Sequence, residues 1–274
     1  MKTFNLSSDI KYILKCLIKN IIYHDLTNNN YFNYKNKKPY IIGISGSVAS
    51  GKSTFSHWLQ KALKKNFVDK SISVVTTDSF LYSNKTLKLL GLLGEKGFPK
   101  TYNINELINF FLNIKYGVSN SIVVPIYSHF CNDIILDRYN ILRRSDIFII
   151  EGLHIFNPYF YEKIYSYFSL SDFFNFSVYI DADDILLEEW YLNRFLRFRC
   201  ISKSYPSSCF NFYSKISYKN AKNIAIGIWY EINYKNLKEN IFISKKYANF
   251  VITKKHDHSI NCIQLRYKNN IRYY

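Results

Sequence analysis

Gly46-Ser47-Val48-Ala49-Ser50-Gly51-Lys52-Ser53-Thr54 satisfies G-x-x-x-x-G-K-[ST] at every fixed position. The pattern encodes a phosphate cradle: loop N–H groups converge on an anion, Lys52 brings a point charge, and the Ser53 hydroxyl can ligate Mg²⁺. Its flanks agree. Pro39 opens the apolar run Tyr40–Ile44, which reads as a buried strand. After the loop, Phe55, Trp58, Leu59, Ala62 and Leu63 recur at helical spacing, so bound phosphates would sit on a helix N-terminus. Three of the chain's 9 glycines, Gly43, Gly46 and Gly51, fall within this short stretch.

A chain of 274 residues suffices for one large α/β domain, and 48% hydrophobic with 18% aromatic residues argues for a globular protein. The formal net charge of +17 raises nucleic acid or an anionic membrane as partners. The excess is dispersed, however, and accompanies a surfeit of Lys, Asn, Ile, Tyr and Phe, for which A/T-rich coding is a sufficient cause. Neither partner is expected. Cys16, Cys131, Cys200, Cys209 and Cys262 form no C-x-x-C pair and are odd in number. That argues against a zinc site or disulfide framework and for a reducing, cytoplasmic setting. No apolar stretch reaches the roughly 18 residues of a spanning helix, and Lys11 and Lys15 interrupt the N-terminal pattern that a signal peptide would need.

Ile10, Ile13, Leu14, Leu17, Ile18, Ile21 and Ile22 mark one face of an N-terminal helix, capped by Ser7 or Ser8. Asn28–Lys38 reads as a polar linker, so residues 1–38 are expected to be a helix and linker packed on the core, and 39–274 the main body of a single domain. Further strands are expected at Ile72–Thr76, Ile147–Ile150 and Phe176–Ile180, ending in Asp78, Glu151 and Asp181 respectively, with weaker ones at Phe250–Thr253 and Cys262–Leu265. Long helical stretches between strands imply parallel βαβ units. In such sheets ligands gather at the carboxyl ends of the strands, where the loop, Asp78 and Glu151 all lie. Helices are expected at Asp183–Arg199 and Ala221–Asn240. Lys203–Asn211, with Pro206 and several serines, reads as a loop, either an inert connector or a substrate flap.

A phosphate cradle with Mg²⁺ leaves hydrolysis, switching and phosphoryl transfer open. Asp78 discriminates among them, since a kinase needs a carboxylate to orient the acceptor hydroxyl and receive its proton. Position alone also allows a turn-capping role for Asp78. Glu151 fits an acid that helps hold the metal, or an ordinary strand-end acid. Arg194 could neutralise the moving phosphoryl group, although a helix-surface arginine needs no such role. His129 is not evidently a base.

Seven segments in order carry a specific likeness: Pro39–Thr54 (PYIIGISGSVASGKST), Thr76–Leu81 (TTDSFL), Lys96–Tyr102 (KGFPKTY), Pro125–His129 (PIYSH), Ile150–Leu153 (IEGL), Tyr191–Arg199 (YLNRFLRFR) and Trp229–Asn240 (WYEINYKNLKEN). Together they resemble the bacterial type I pantothenate kinases, P-loop kinases akin to uridine kinase and phosphoribulokinase. The resemblance implies a mainly parallel sheet flanked by helices on both faces, with an N-terminal helix. It implies ATP and Mg²⁺, pantothenate as acceptor, coenzyme A as a feedback inhibitor, and a homodimer. It places Lys52 and Ser53 at phosphates and metal and makes Asp78 the catalytic base. Tyr127, His129, Tyr191, Arg194 and Asn233 fall around pantothenate, with Phe195 and Phe198 lining the apolar part of the cleft. Thr253, Lys254 and His258 match T-K-x-x-x-H on the adenine side. A nucleoside or sugar kinase of the same fold is the rival reading; a basic nucleic-acid-binding protein with a residual P-loop is the rival from another class.

The departures from the resemblance are specific. Ser79 stands where glycine is usual, His154 where asparagine is usual, and the N-terminus is shorter. His57 replaces an arginine associated with coenzyme A; because an ordinary histidine is mostly neutral at pH 7, weakened feedback is expected.

Overall fold

The computed structural model describes residues 8–31, 38–117, 119–160, 170–205, 208–267 and 270–273. Helix α1 (Ser8–Tyr31) leads to strand β1 (Tyr40–Gly46), the cradle loop, helix α2 (Lys52–Asn66) and strand β2 (Ile72–Thr76). Helices α3 (Asn84–Leu89) and α4 (Ile104–Tyr116) precede strands β3 (Ser121–Ser128), β4 (Asp133–Arg143), β5 (Ile147–Glu151) and β6 (Phe176–Asp181). Then come helices α5 (Asp184–Ile201), α6 (Asn211–Ser214) and α7 (Tyr218–Ile228), and strands β7 (Phe250–Lys254), β8 (Ile260–Tyr267) and β9 (Asn270–Tyr273).

The main sheet has the order β2-β5-β1-β6-β7-β8-β9. Pairing is parallel from β2 through β7 and antiparallel from β7 to β9. All residues of β1 and β5 are buried, which is why both read as unbroken apolar runs rather than alternating ones. Side chains alternate between two covered faces. Tyr40, Ile42 and Ile44 enter a core shared with Ile13, Leu17 and Ile21 of α1 and Leu59 and Leu63 of α2. Ile41, Phe148 and Ile150 face Leu107, Phe111 and Ile114 of α4, and Tyr179 and Val251 meet Leu187 and Trp190 of α5. Leu17 is fully buried; truncating it to alanine costs about 2–5 kcal/mol.

Several expectations need correction. Ile22 is 46% exposed, so the buried stripe of α1 is narrower than the apolar pattern. The helix runs to Tyr31, four residues into the expected linker; positions 32–37 of that linker lie outside the described residues, as does Ser7. The expected helix to Asn240 continues past Ile228 only by changing pitch: Trp229–Tyr234 and Leu237–Ile241 are π-helical turns. The β3–β4 hairpin had no counterpart in the sequence reading. Of Lys203–Asn211, residues 206–207 lie outside the described residues. Ser208 donates its hydroxyl to the Phe130 carbonyl (3.0 Å), and Cys209 and Phe210 form cavity wall.

Candidate active site

The cradle is built by backbone that only small residues allow. Gly46 has φ 145°, and a Cβ there would overlap the Ile180 carbonyl oxygen of β6; Gly51, at φ 91°, would thrust one into Lys254 Nζ. Lys52 Nζ donates to the Gly46 and Ser47 carbonyls (3.0 and 2.8 Å), and Lys254 Nζ donates to the Ser50 carbonyl (2.8 Å). Desolvation pushes both ammonium groups down to about 8. Glu151 and Asp78 oppose the fall at Lys52, whereas Lys52 itself adds to it at Lys254. Two cations short of counter-charge, beside unpartnered buried hydroxyls on Ser47 and Ser50, make a setting that an anion completes.

Strand register sets the acids. Ile44 of β1 and Thr76 of β2 both pair with Glu151 of β5. Glu151 is 5% exposed and accepts from Ser53 Oγ (2.7 Å) and Ser56 Oγ (3.1 Å). Two residues beyond Thr76, Asp78 sits on a 3₁₀ turn, its N–H donating to Thr76 Oγ1 (3.3 Å). No cluster of three or more His, Cys, Asp or Glu side chains forms among the described residues. A hydroxyl and one acid suit Mg²⁺, which takes few protein ligands and fills its octahedron with phosphate oxygens and water.

One cavity of about 450 Å³ opens beside the cradle. Val48, Ala49, Lys52, Ser53, Asp78 and Glu151 line it, together with Tyr127, His129, Tyr191, Arg194, Phe195, Phe198 and Asn233. All seven side chains expected around an acceptor thus share a chamber with the phosphate-side residues. Arg194 reaches solvent through this chamber, yet protein hems it in enough to lower its proton affinity, with Tyr191 and Asp78 opposing. Burial raises Tyr191 to about 12, Arg194 and the Asn233 side chain pulling the other way, so the phenol stays a neutral donor at any ordinary pH. Tyr127 donates to Asn132 Oδ1 (2.8 Å), and its ring meets His129 edge-on at 5.2 Å. Thr54 is exposed on the first turn of α2. Lys254 lies behind the loop, and the His258 ring sits 4.2 Å from Trp190; neither lines the chamber.

A model described as "Phosphoribulokinase / Uridine kinase family" matches residues 41–205. The "Pantothenate kinase" of Haemophilus ducreyi is 44% identical over 231 residues, covering 84% of this chain and 73% of that protein. Its namesake in Cronobacter sakazakii is 42% identical over 229 residues, covering 83% and 72%. The chain belongs to the pantothenate kinase family. Membership makes it a phosphotransferase, and ATP is the donor that a kinase of this family implies. The solved phosphoribulokinase from Rhodobacter spheroides superposes with a TM-score of 0.55 at 14% identity, covering 85% of this chain and 82% of that one, which bears on fold alone.

Within this pantothenate kinase fold, Ser79 has no left-handed φ, so its turn does not require the glycine usual in the family. His57 is exposed on α2, its Nδ1–H donating to the Ser53 carbonyl (2.7 Å). Sequence reasoning missed Lys96, Asn84, Asn132 and Tyr213, all of which line the chamber. Lys96 Nζ donates to Asn84 Oδ1 (2.6 Å) and the Asn132 carbonyl (2.7 Å), near Asp133. The K-G-F-P segment was the available signal for Lys96. Its partners are remote in sequence, so no spacing announces them. No helix among the described residues is long and apolar enough to cross a membrane.

Proposed function

We infer that the chain is an ATP- and Mg²⁺-dependent pantothenate kinase that transfers the γ-phosphoryl group to the primary hydroxyl of pantothenate, giving 4′-phosphopantothenate and ADP. The observation that carries this reading is the shared chamber, lined by Lys52 and Asp78 together with Tyr127, Tyr191, Arg194 and Asn233. Pantothenate is a small anion bearing hydroxyls and an amide. It calls for a cation, phenolic donors and a carboxamide held on firm elements, with apolar wall from Phe195 and Phe198.

Asp78 orients the acceptor hydroxyl. A free carboxylate has a pKa near roughly 4, so it cannot ionise an alcohol beforehand. The proton therefore passes to Asp78 as the O–P bond forms, in a loose transition state where positioning and charge stabilisation do most of the work. Lys52 and Arg194 face the charge that spreads over the moving phosphoryl oxygens. A Mg²⁺ ion held through Ser53 and Glu151 would neutralise phosphate charge as a Lewis acid. Coenzyme A as a regulator, a homodimer and a cytoplasmic location belong to the same reading and rest on the family likeness.

The test is direct. The purified chain, given ATP, Mg²⁺ and pantothenate, should release ADP and form a phosphorylated acid, with uridine and simple sugars inert. Uridine turnover without pantothenate turnover would overturn the assignment.

A further inference from the structure

Beyond the residues that line the chamber, His154 stands out as a buried titratable group with no part in the transfer chemistry. It is 1% exposed, three residues past Glu151, and packed edge-on against Tyr102 (ring centroids 5.7 Å) and tilted on Phe160 (5.1 Å). Nε2 lies 2.7 Å from the Gly97 carbonyl oxygen, while Nδ1 is buried with no hydrogen-bond partner. A carbonyl can only accept, so Nε2 carries the proton and Nδ1 is bare. Burial drives the ring's pKa down to about 4, with the Gly97 bond opposing, which keeps this one neutral tautomer.

The Gly97 carbonyl accepts a second bond, from Asn236 Nδ2 (2.8 Å), and Asn236 is itself held by Asn240 (3.1 Å) between the two π-helical turns. Gly97 adopts φ 95°, a backbone that glycine enters and leaves freely, so its conformation is held by its contacts: the two donors on its carbonyl and its own N–H, which donates to Thr101 Oγ1 (3.1 Å). Its neighbour Lys96 enters the chamber and fastens Asn84 and Asn132, and the latter accepts from Tyr127.

We propose that His154 is a positioning residue for acceptor binding: with Asn236 it clamps the Gly97 carbonyl, and so fixes how Lys96 and Tyr127 meet the acceptor. The donor side is untouched, since Lys52, Ser53 and Glu151 make their own bonds. The proposal rests on the pantothenate kinase reading for its substrate, but its geometry stands apart from it.

His154→Phe keeps the aromatic packing and removes the donor; Asn236→Leu removes the other. Each should raise the pantothenate KM about threefold to tenfold, the worth of one hydrogen bond, leaving the ATP KM and kcat within about twofold. The double variant should exceed the product of the singles, because only then is a buried carbonyl orphaned. His154→Gln, which can restore a donor, should recover part of the loss and serves if His154→Phe fails to fold. Independently, ¹⁵N NMR of the full chain at about pH 5, where an ordinary imidazole is charged, should show a histidine that is still neutral and protonated on Nε2, its signal absent from His154→Gln. An unchanged pantothenate KM in both singles, an equal rise in ATP KM, or an Nδ1-protonated or charged His154 would overturn the proposal. If the chain phosphorylates some other acceptor, the KM ratios are read on that acceptor and the NMR result stands as before, so the two failures are distinguishable.

Discussion

Asp78→Asn separates the two roles proposed for one carboxylate. The amide fills the same volume on the same 3₁₀ turn and keeps the Thr76 cap, which involves only backbone N–H. It can neither accept the proton nor supply negative charge. Loss of a positioned base costs about 10²–10⁴-fold in kcat, equivalent to about 3–5 kcal/mol of barrier. The second consequence is electrostatic. Asp78 is one of two carboxylates that resist the desolvation of Lys52, which already sits at about 8. Without it the ammonium gives up its proton at a lower pH. An amine is charged below its pKa, so the variant should lose ATP affinity earlier as pH rises. The assay is an ADP-release rate series on both proteins across about pH 6 to 9, fitted for kcat and ATP KM at each pH. Turnover within about threefold of the parent would refute the base assignment. An ATP KM profile displaced toward alkaline pH would refute the coupling between Asp78 and Lys52.

Gly46→Ala puts a Cβ against the Ile180 carbonyl oxygen at a left-handed φ; a stability loss of about 1–3 kcal/mol and failed ATP protection in thermal melts are expected, and a parent-like melt with ATP protection would contradict it. Lys52 and Lys254 are both held near 8, below their unfolded value of 10.5, so the unfolded chain binds more protons between those limits and the nucleotide-free protein should gain stability as pH rises from 8 toward 10. The gain should be shallower in Lys254→Met; identical slopes by differential scanning fluorimetry would exclude Lys254 as a source. Tyr191→Phe should raise pantothenate KM about fivefold with ATP KM unchanged, and equal constants would remove that phenol from acceptor recognition. His57→Arg should make ADP release more sensitive to added coenzyme A; an unaltered inhibition curve would show that this face of α2 plays no part in feedback.

The parallel strands that carry the phosphate and acid groups were legible because they are buried on both sides and leave uninterrupted apolar runs, as in Tyr40–Ile44 and Ile147–Ile150. The hairpin was not. β4 is largely exposed, carries Asp137 at φ 58° and alternates without a hydrophobic face, while Pro125 sits at a register break inside β3 and suppresses the strand pattern. Wider turns after Ile228 were equally silent, since a π-helical pitch still repeats about every fourth residue, as Trp229 and Asn233 do. Motif residues such as Lys52, Asp78 and Arg194 announced themselves through local pattern. The buttress behind them, Asn236 on Gly97 and Lys96 on Asn132, depends on contacts across 139 and 36 positions, which periodicity cannot encode.

Ile44, Glu151 and Thr76 stand on one rung across three adjacent parallel strands. Backbone hydrogen bonding therefore dictates the spacing between the cradle strand, Glu151 and the strand that leads to Asp78, independent of the walls around the chamber. A lineage can rebuild the hairpin or the late helices to admit a different alcohol while the transfer machinery keeps its alignment. The same rigidity forbids half-measures: sliding one strand by a single residue turns Glu151 to the opposite side of the sheet and dismantles the apparatus at a stroke.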